Sequence, residues 1–507
     1  MFRDVFAKVR PAPVGAAVWA AAAFALLLAA GCTMEPRYRQ PPLPVPQQWP
    51  IPPTTGAATG SPDAAPVAST AASTQAREVA VRDIGWRDFF VDPRLQQLIA
   101  EALSNNRDLR VAVLNIDKAR AQYRIQRAEL FPAITGTGGL TREKVPPALT
   151  FAPESITTSV YQVGVGISDY EVDLFGRVRS LSHAAFEQYL AQSEARRAAQ
   201  LMLISELAND YLTLASDRDL LHLAQQTLES QERSYELSKK SHDAGTTSGL
   251  DLAQAQTTVE QARADAARYE GNVAQDIDAL QLLVGAPLDP ASLPDTFDAH
   301  TMGLEALPAG LPSDVLLRRP DVLEAEHQLR SANGNIGAAR AAFFPTISLT
   351  TTIGDASLAL SQLFKSGSGT WTFSPSISLP LFHGGEIVSN LSLARTNQQI
   401  AIAQYEKAIQ TSFKEVSDAL ALTATLNRQR AAQEALVAAT GRAYELSQQR
   451  YKAGRDSFLD VLVSQRADYS AQQGLIATRL AEQSNRVTLY GVLGGGWRER
   501  TAQVANQ

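Results

Sequence analysis

The side chains that could support catalysis do not form a catalytic or metal-binding pattern. The chain has 6 histidines, and neither an HExxH sequence nor a Cys or His pair at zinc spacing occurs among them. A Walker loop for nucleotides and a GxSxG elbow for acyl transfer are also absent from the sequence. Glu324, Glu326 and His327 are residue types of acid–base chemistry and are close in sequence, but on a helix they fit a solvated face. We therefore expect a protein that is not an enzyme, without a cofactor or metal, so that energy for any transport must come from a partner.

Composition and hydropathy narrow the class further. The 507 residues include 46 Lys and Arg against 52 Asp and Glu, a net charge of −6, so the basic surface of a nucleic-acid-binding protein is not expected. After Cys32 no run reaches the roughly 18–20 apolar residues of a membrane-spanning helix. A helical inner-membrane protein is excluded on this basis, and any membrane crossing would be made by β-strands.

The N-terminus predicts an exported lipoprotein. Basic residues precede the apolar run VGAAVWAAAAFALLLAA, which is typical of a secretory signal peptide, here residues 1–31. Cys32 is the single cysteine, so it forms no internal disulfide. Its position resembles a bacterial lipobox, in which the cysteine is acylated, although Ala29 stands where leucine is usual; Thr33 favours the outer membrane. An uncleaved anchor or an unmodified cysteine is the alternative. Residues 32–83, rich in Pro, Ala, Thr, Gln and Ser, are predicted to be an extended and disordered linker.

One phrase occurs twice in the chain. YELSKKSHDAGTTSGLDLAQAQ begins at Tyr235 and YELSQQRYKAGRDSFLDVLVSQR begins at Tyr444, an offset of 444 − 235 = 209 residues that does not drift. Self-similarity at a fixed, domain-sized offset indicates a duplicated architecture. We predict a first repeat at 84–290, a second at 291–497, and a C-terminal tail at 498–507.

Each repeat contains one exceptionally long helix-compatible segment. The segment that ends before the first glycine of each phrase has about 68 residues without proline, enough for a helix of roughly 100 Å. The glycine favours a left-handed residue after the helix, and the following serine can cap a returning helix. The predicted hairpins span about 177–284 and 386–493, with Gly245, Ser248, Gly454 and Ser457 at their turns.

Four segments alternate between apolar and small polar residues. They lie at about 132–142, 158–169, 345–354 and 371–381. Such alternation over about ten residues is typical of membrane β-barrel strands, and a half-buried sheet of a soluble domain is the alternative. Four strands cannot close a membrane barrel, because the smallest have eight. Two copies would give a barrel filled by side chains, and three copies would give twelve strands and a lumen, so a pore favours at least a trimer.

Several long motifs resemble one family. CTMEPRYRQPPLPVPQQW, SDYEVDLFGRVRSLSHAAFEQYLA, LPSDVLLRRPDVLEAEHQLRSANGNIGAARAAFFPTISLT and the final LYGVLGGGW are similar to OprM-like outer membrane factor lipoproteins of the NodT and TolC type. The similarity covers nearly all of the chain from Cys32 to Trp497. It implies a homotrimer with a twelve-stranded barrel, continuous with a periplasmic α-helical barrel. The implied partners are a periplasmic adaptor, an inner-membrane proton-driven RND pump and, through acylated Cys32, the outer membrane. The RRPD sequence at 318–321 would begin a helix and be structural.

The resemblance also assigns roles to residues of the repeated phrase. It implies that the turns close a tunnel and contact the adaptor, with carboxylate rings that favour cations in the constriction. The gate residues that the resemblance implies are Asp251, Tyr451, Leu459 and Asp460. Arg455 and Asp456 are predicted to add ion pairs that hold the gate closed. The predicted adaptor contacts are Gly245, Thr246, Ser248, Gly454 and Ser457. The alternative is that Asp251 and Asp460 serve only the first turn of their helices. Val463 departs from the family, which has an acidic residue there.

Two aromatic residues and the cargo complete the sequence-based expectations. Tyr161 and Trp371 fit an aromatic girdle at the membrane edge, with ordinary sheet packing as the alternative. The predicted function is a passive exit duct for multidrug efflux. The same duct could instead serve heavy-metal efflux or type I protein secretion, and a structural lipoprotein without a channel is a third possibility.

Overall fold

The structure is a computed structural model that describes residues 33–46, 49, 84–150, 153–297 and 313–501. The predicted signal peptide, Cys32 and most of the predicted linker lie outside these residues. The elements occur in this order: α1 (Trp86–Phe89), α2 (Pro93–Asn105), α3 (Arg107–Ala128), β1 (Ile134–Val145), α4 (Pro147–Thr150), β2 (Ile156–Glu171), α5 (Arg177–Asp243), α6 (Gly249–Val284), α7 (Pro320–Ala341), β3 (Thr346–Ser357), β4 (Gly369–Ser378), α8 (Glu386–Lys452) and α9 (Phe458–Val492).

The two long helices are α5 and α8, each of 67 residues. Each is followed by a short turn and a returning helix, α6 of 36 residues and α9 of 35 residues. Helices of this length form because Gly and Pro, the residues that most often end helices, are nearly missing from both segments. The predicted mainly helical fold with two long hairpins is confirmed. Among the residues that the structure describes, no helix has enough continuous apolar sequence to cross a membrane.

The strands form one antiparallel sheet in the order β1-β2-β3-β4. Gly136, Val165, Ile353 and Trp371 lie in one row across it. Because successive side chains point to opposite faces, this register places most of the apolar residues of the strands, among them Val165, Ile353 and Trp371, on one face and most of their Thr and Ser residues on the other. Strand β4 ends at Ser378, three residues before the predicted end. Pro380 lacks the backbone N–H that a longer ladder would use.

The chain divides into two compact units that do not coincide with the two sequence repeats. The sheet unit contains the described parts of Met1–Pro41, Ile116–Gln192 and Ala325–Tyr405. The hairpin unit contains those of Pro42–Asn115, Ser193–Glu324 and Glu406–Gln507. Each unit therefore takes segments from both repeats, and the repeat boundaries inferred from sequence remain predictions.

The main hydrophobic core lies in the hairpin unit, around α1 and α2. Tyr490 is 1% exposed and stacks on Phe89 with a ring-centroid distance of 3.8 Å and an interplanar angle of 4°. Asp92 caps α2 by accepting from the Arg94 amide at 2.8 Å, and also accepts from the Tyr211 hydroxyl at 2.6 Å. These contacts fix α1 and α2 against α5 and α9.

Arg319, immediately before α7, holds several elements of the hairpin unit together. Its guanidinium donates to the Val492 carbonyl oxygen, to Asp321 and to Glu415, each at 2.8 Å. Its side chain is mostly buried between them. The contacts are those of a structural residue, as the sequence suggested for the RRPD motif.

Residues in the sheet unit correct one interpretation of the sequence. Glu326 and His327 were expected on a solvated face of α7, but Glu326 is buried and the His327 side chain is only 16% exposed. Glu326 accepts from the Tyr38 hydroxyl at 3.0 Å, and His327 hydrogen-bonds to Glu187 at 2.6 Å. The expectation was wrong because chain segments far away in sequence cover this part of α7.

Candidate functional site: the turns of the two helical hairpins

The turn between α8 and α9 ends one helix and begins the next within a few residues. The Gly454 amide donates to the Tyr451 carbonyl at 2.8 Å, and the Arg455 amide donates to the Arg450 carbonyl at 3.0 Å. This pair of bonds is the Schellman motif, which needs a left-handed residue after the helix. Gly454 supplies it with φ of 69°. The sequence-based assignment of Gly454 to a helix end therefore has a direct conformational cause.

Helix α9 then begins with a capping box. The Ser457 side chain accepts from the Asp460 amide, and the Asp460 carboxylate accepts from the Ser457 amide at 3.1 Å and its hydroxyl at 2.7 Å. This arrangement satisfies two backbone N–H groups that a helix start otherwise leaves unpaired. A carboxylate in the first turn also interacts favourably with the positive end of the helix dipole.

The turn between α5 and α6 repeats this geometry. Gly245 has φ of 75°, and its amide donates to the His242 carbonyl at 2.8 Å while the Thr246 amide donates to the Ser241 carbonyl at 2.9 Å. Ser248 caps α6 by accepting from the Asp251 amide at 3.1 Å. Its hydroxyl donates to the Asp251 carboxylate at 2.7 Å. The repeated phrase thus encodes the same turn twice.

These contacts show what the two predicted gate aspartates do within the chain. Asp251 and Asp460 each take part in the cap of a returning helix, as the alternative interpretation required. Asp460 is exposed and Asp251 is partly exposed. A capping carboxylate remains an anion, so capping does not exclude a second role in a charged ring.

Asp456 has a partner that the sequence reasoning missed. Arg450, in the last turn of α8, binds its carboxylate through two hydrogen bonds of 2.6 and 2.7 Å. The hydrogen bond from Arg450 holds the pKa of Asp456 below its ordinary value. The ion pair joins the two sides of the turn. The sequence pattern that could have predicted it is a basic residue in the last turn of a helix with an acidic residue six positions later.

Two aromatic rings of this turn contact each other. The Tyr451 and Phe458 rings lie 5.4 Å apart across the turn. Leu459 and Val463, one helical turn apart on α9, are 44% and 52% exposed. Exposed leucine and valine near a helix end offer an apolar surface to another chain or to the same residues of another copy.

The structure does not bring the predicted gate residues of the two turns together. Within the described parts of the chain, no hydrogen bond or ion pair joins a side chain of 245–251 to one of 451–460. Helices α6 and α9 are joined farther from the turns. There the Gln473 side-chain amide donates to the Tyr269 hydroxyl at 3.2 Å, and the Tyr469 hydroxyl donates to Asp265 at 3.5 Å. Also within the described residues, no group of three or more His, Cys, Asp or Glu could hold a metal ion.

The two predicted girdle aromatics share the apolar face of the sheet. Tyr161 lies opposite Leu140 on β1 and Ser357 on β3, and Trp371 lies opposite Ile353. Trp371 is 78% exposed and Ile353 is 70% exposed. Packing among the described residues leaves Trp371 and Ile353 largely uncovered, and the girdle role of Tyr161 and Trp371 stays a prediction.

A comparison with known protein families decides the family of this chain. The model described as "Outer membrane efflux protein" matches residues 98–286 and 311–495, one stretch in each predicted repeat. The chain belongs to the outer membrane efflux protein family.

Relatives of this efflux protein match almost over its whole length. It is 48% identical over 477 residues to TtgC of Pseudomonas putida, a probable efflux pump outer membrane protein. The match covers 94% of this chain and 95% of TtgC. It is 46% identical over 474 residues to the solvent efflux pump outer membrane protein SrpC of Pseudomonas putida, with 94% and 97% coverage. The outer membrane protein OprJ of Pseudomonas aeruginosa is 40% identical over 486 residues, with 95% and 97% coverage.

Solved structures of similar proteins share the fold. A membrane protein from Pseudomonas aeruginosa superposes with a TM-score of 0.83 at 39% identity, covering 94% of this chain and 100% of that chain. The open state of the MtrE outer membrane channel of Neisseria gonorrhoeae superposes with a TM-score of 0.80 at 37% identity, with 93% and 100% coverage. The predicted family, fold and outer-membrane location of this efflux protein are confirmed.

Replacing Gly454 by alanine is expected to lower the free energy of unfolding by about 1–2 kcal/mol, because a side chain at positive φ is strained. Circular dichroism of the detergent-solubilised protein during denaturation measures it. Gly271→Ala is the matched control, because it lies inside α6 and an added Cβ meets no atom within 4 Å. That control should stabilise by about 0.5–1 kcal/mol. Equal stability of Gly454→Ala and the unmodified protein would contradict the assignment of the turn.

Proposed function

We propose that this protein is the passive exit duct of a tripartite multidrug efflux complex in the outer membrane. It would receive drugs from an inner-membrane RND pump through a periplasmic adaptor and release them outside the cell. The observation that carries this proposal is the match of 94% of the chain to proteins named as outer membrane components of efflux pumps. The described helices carry no group of candidate metal ligands and the sequence no nucleotide-binding loop, so the duct would be driven entirely by its partners.

The sheet supports a homotrimer as the form that conducts. Strands β1 and β4 are the edges of a sheet of 4 strands, so each leaves one row of backbone groups without a partner strand among the residues that the structure describes. Pairing β4 of one copy with β1 of the next removes these edges, and three copies would give twelve strands around a lumen. The apolar face that carries Tyr161 and Trp371 would face lipid, and the face rich in Thr and Ser would face water.

The hairpin turns support the proposed gate and adaptor contact. In a trimer, Asp251 and Asp460 would each contribute three carboxylates to a ring, which attracts cations in a narrow passage. Leu459, Tyr451 and the Arg450–Asp456 pair would set the width of that passage, since all lie in one exposed turn. Arg455 would belong to the gate as well. The surface that meets the adaptor would be formed by Gly245, Thr246, Ser248, Gly454 and Ser457.

The experiment that tests the function is a deletion strain challenged with drugs, dyes and metal salts. We expect greater drug sensitivity and greater dye retention, both reversed by the intact gene. A Cys32→Ala variant with its signal peptide replaced tests the proposed acylation, and failure to restore resistance would support a need for the anchor. Sensitivity to metal salts alone would overturn drug efflux in favour of metal efflux, and an unchanged drug and dye phenotype in a strain without other ducts would overturn efflux altogether.

A further inference from the structure

The segment that directly follows Cys32 is held by polar contacts within the sheet unit. Residues 33–41, the N-terminal segment, include three groups bound by helix α7. The Asn333 side chain donates to the Pro36 carbonyl at 2.6 Å, and Arg340 donates to the Met34 carbonyl at 3.4 Å. The Tyr38 hydroxyl donates to Glu326 at 3.0 Å, and the Arg330 guanidinium lies 4.8 Å from the Tyr38 ring centre. A segment rich in proline with no regular structure is thus fixed at several points.

A charge cluster joins this segment to α5 and α7. His183 lies between two carboxylates, with Nδ1 3.0 Å from Glu35 of the N-terminal segment and Nε2 3.4 Å from Glu187, one turn along α5. His327 of α7 contacts the other oxygen of Glu187 at 2.6 Å. The Glu187 side chain is 7% exposed, and its carboxylate is bound by both histidines, with Arg330 nearby. An imidazole with a carboxylate at each nitrogen is bound most strongly as the imidazolium.

The pKa values of His183 and Glu187 set the pH range over which the cluster stabilises the protein. Hydrogen bonds to Glu187 and Glu35 raise the pKa of His183 from 6.5 to about 10. Burial would raise the pKa of Glu187, but hydrogen bonds from His183 and His327 outweigh it and lower that pKa from 4.5 to about 2. The stabilisation from His183 is therefore complete below pH 6.5 and is lost as the pH rises through about 10. The stabilisation from Glu187 is complete above pH 4.5 and is lost as the pH falls through about 2.

Gly337 of α7 leaves room for the N-terminal segment to lie close to the helix. A Cβ added at Gly337 would lie 2.9 Å from the Glu35 Cα and 2.7 Å from the Ser180 Oγ. Such distances are too short for a side chain to fit without movement of the segment or of α5. The absence of a side chain at Gly337 therefore lets Glu35 lie close to α7, an observation that is independent of charge.

We propose that His183 is the positioning residue of an N-terminal clamp, formed with Glu35, Glu187 and His327, which holds the N-terminal segment against α5 and α7. The clamp fixes the chain directly after Cys32, so that a lipid on that cysteine is attached to a docked segment. This second part rests on the proposed acylation of Cys32, whereas the docking of the segment does not.

The test uses a spin label on Arg37→Cys in the full, detergent-solubilised protein, because Arg37 is exposed and Cys32 is the single native cysteine. At pH 6 we expect an immobilised spectrum. In His183→Gln and Glu35→Gln the ratio of mobile to immobile label should rise about three- to tenfold, the effect of losing a partly exposed charge-assisted hydrogen bond. Raising the pH to 10 should mobilise the label in the parent protein but add little in His183→Gln.

The controls separate charge, packing and acylation. His222→Gln changes an exposed histidine elsewhere on α5 that contacts Gln226, and should leave the spectrum unchanged. Gly337→Ala keeps every charge and should still mobilise the label. A spectrum unaffected by His183→Gln, Glu35→Gln and Gly337→Ala, or a mobile label in the parent protein at pH 6, would overturn the clamp. Mass spectrometry counts the labels: a second label, on Cys32, would overturn the acylated anchor, and the clamp would then be measured in a Cys32→Ser background.

Discussion

Replacing Tyr490 by alanine is expected to destabilise the hairpin unit by about 3–5 kcal/mol, the usual cost of removing a large buried aromatic ring. The ring is stacked on Phe89 and packs edge-on against Phe90, and its hydroxyl donates to the Ile84 carbonyl at 2.8 Å. Loss of the ring would therefore leave a cavity where α1 meets α9. The measurement is thermal unfolding of the detergent-solubilised protein, followed by circular dichroism.

Tyr490→Phe is the matched variant for this prediction. It keeps the stacked ring and removes only the hydroxyl, so a loss of about 1 kcal/mol is expected. Equal stability of the alanine variant and the parent protein would show that the aromatic cluster does not hold this end of the hairpins.

Replacing Asp460 by asparagine is expected to lower the preference of the duct for cations, with Asp251→Asn acting in the same direction. In a trimer the first change removes three charges from the passage. Two unit charges about 5 Å apart in water interact by about 0.8 kcal/mol, a factor of roughly four for each carboxylate that is lost. The permeability ratio should therefore fall by at least about fourfold, and by more where water is scarce. Block by trivalent cations should weaken in parallel. Reversal potentials of single channels in a salt gradient measure the ratio.

Two controls separate a charged ring from a helix cap. Ser457→Ala disturbs the same capping box without changing charge, and should cost about 1 kcal/mol of stability while leaving selectivity intact. Asp295→Asn removes a carboxylate that is 82% exposed in the segment after α6, and should also leave selectivity intact. If Asp460→Asn changed stability alone, capping would be its whole role.

The features that local sequence determines were predictable. The lengths of α5 and α8 follow from nearly absent Gly and Pro, and the turns follow from Gly245, Ser248, Gly454 and Ser457, whose conformations depend on a few neighbouring residues. The four strands follow from alternation, because the two faces of the sheet meet different surroundings. Strand ends were less certain, as β4 shows, since pairing stops where a partner or an N–H group is missing.

The features that depend on distant segments were not predictable. The burial of Glu326 and His327 requires Tyr38 and Glu187, which come from other parts of the chain. Arg450 pairs with Asp456 because the Schellman turn reverses the chain between them. The two compact units likewise combine segments of both repeats, a division that no local pattern marks.

The most direct test of the central claim is the conductance of the purified full-length protein in a planar lipid bilayer. A trimeric duct predicts discrete, cation-preferring channels that are mostly closed, because the hairpin turns would close the passage at rest. Arg450→Ala, which removes the ion pair across the turn, should increase the open fraction, and native mass spectrometry of the same sample should show three copies. A protein that inserts into the bilayer as a trimer and yet passes no ions in either form would contradict the account.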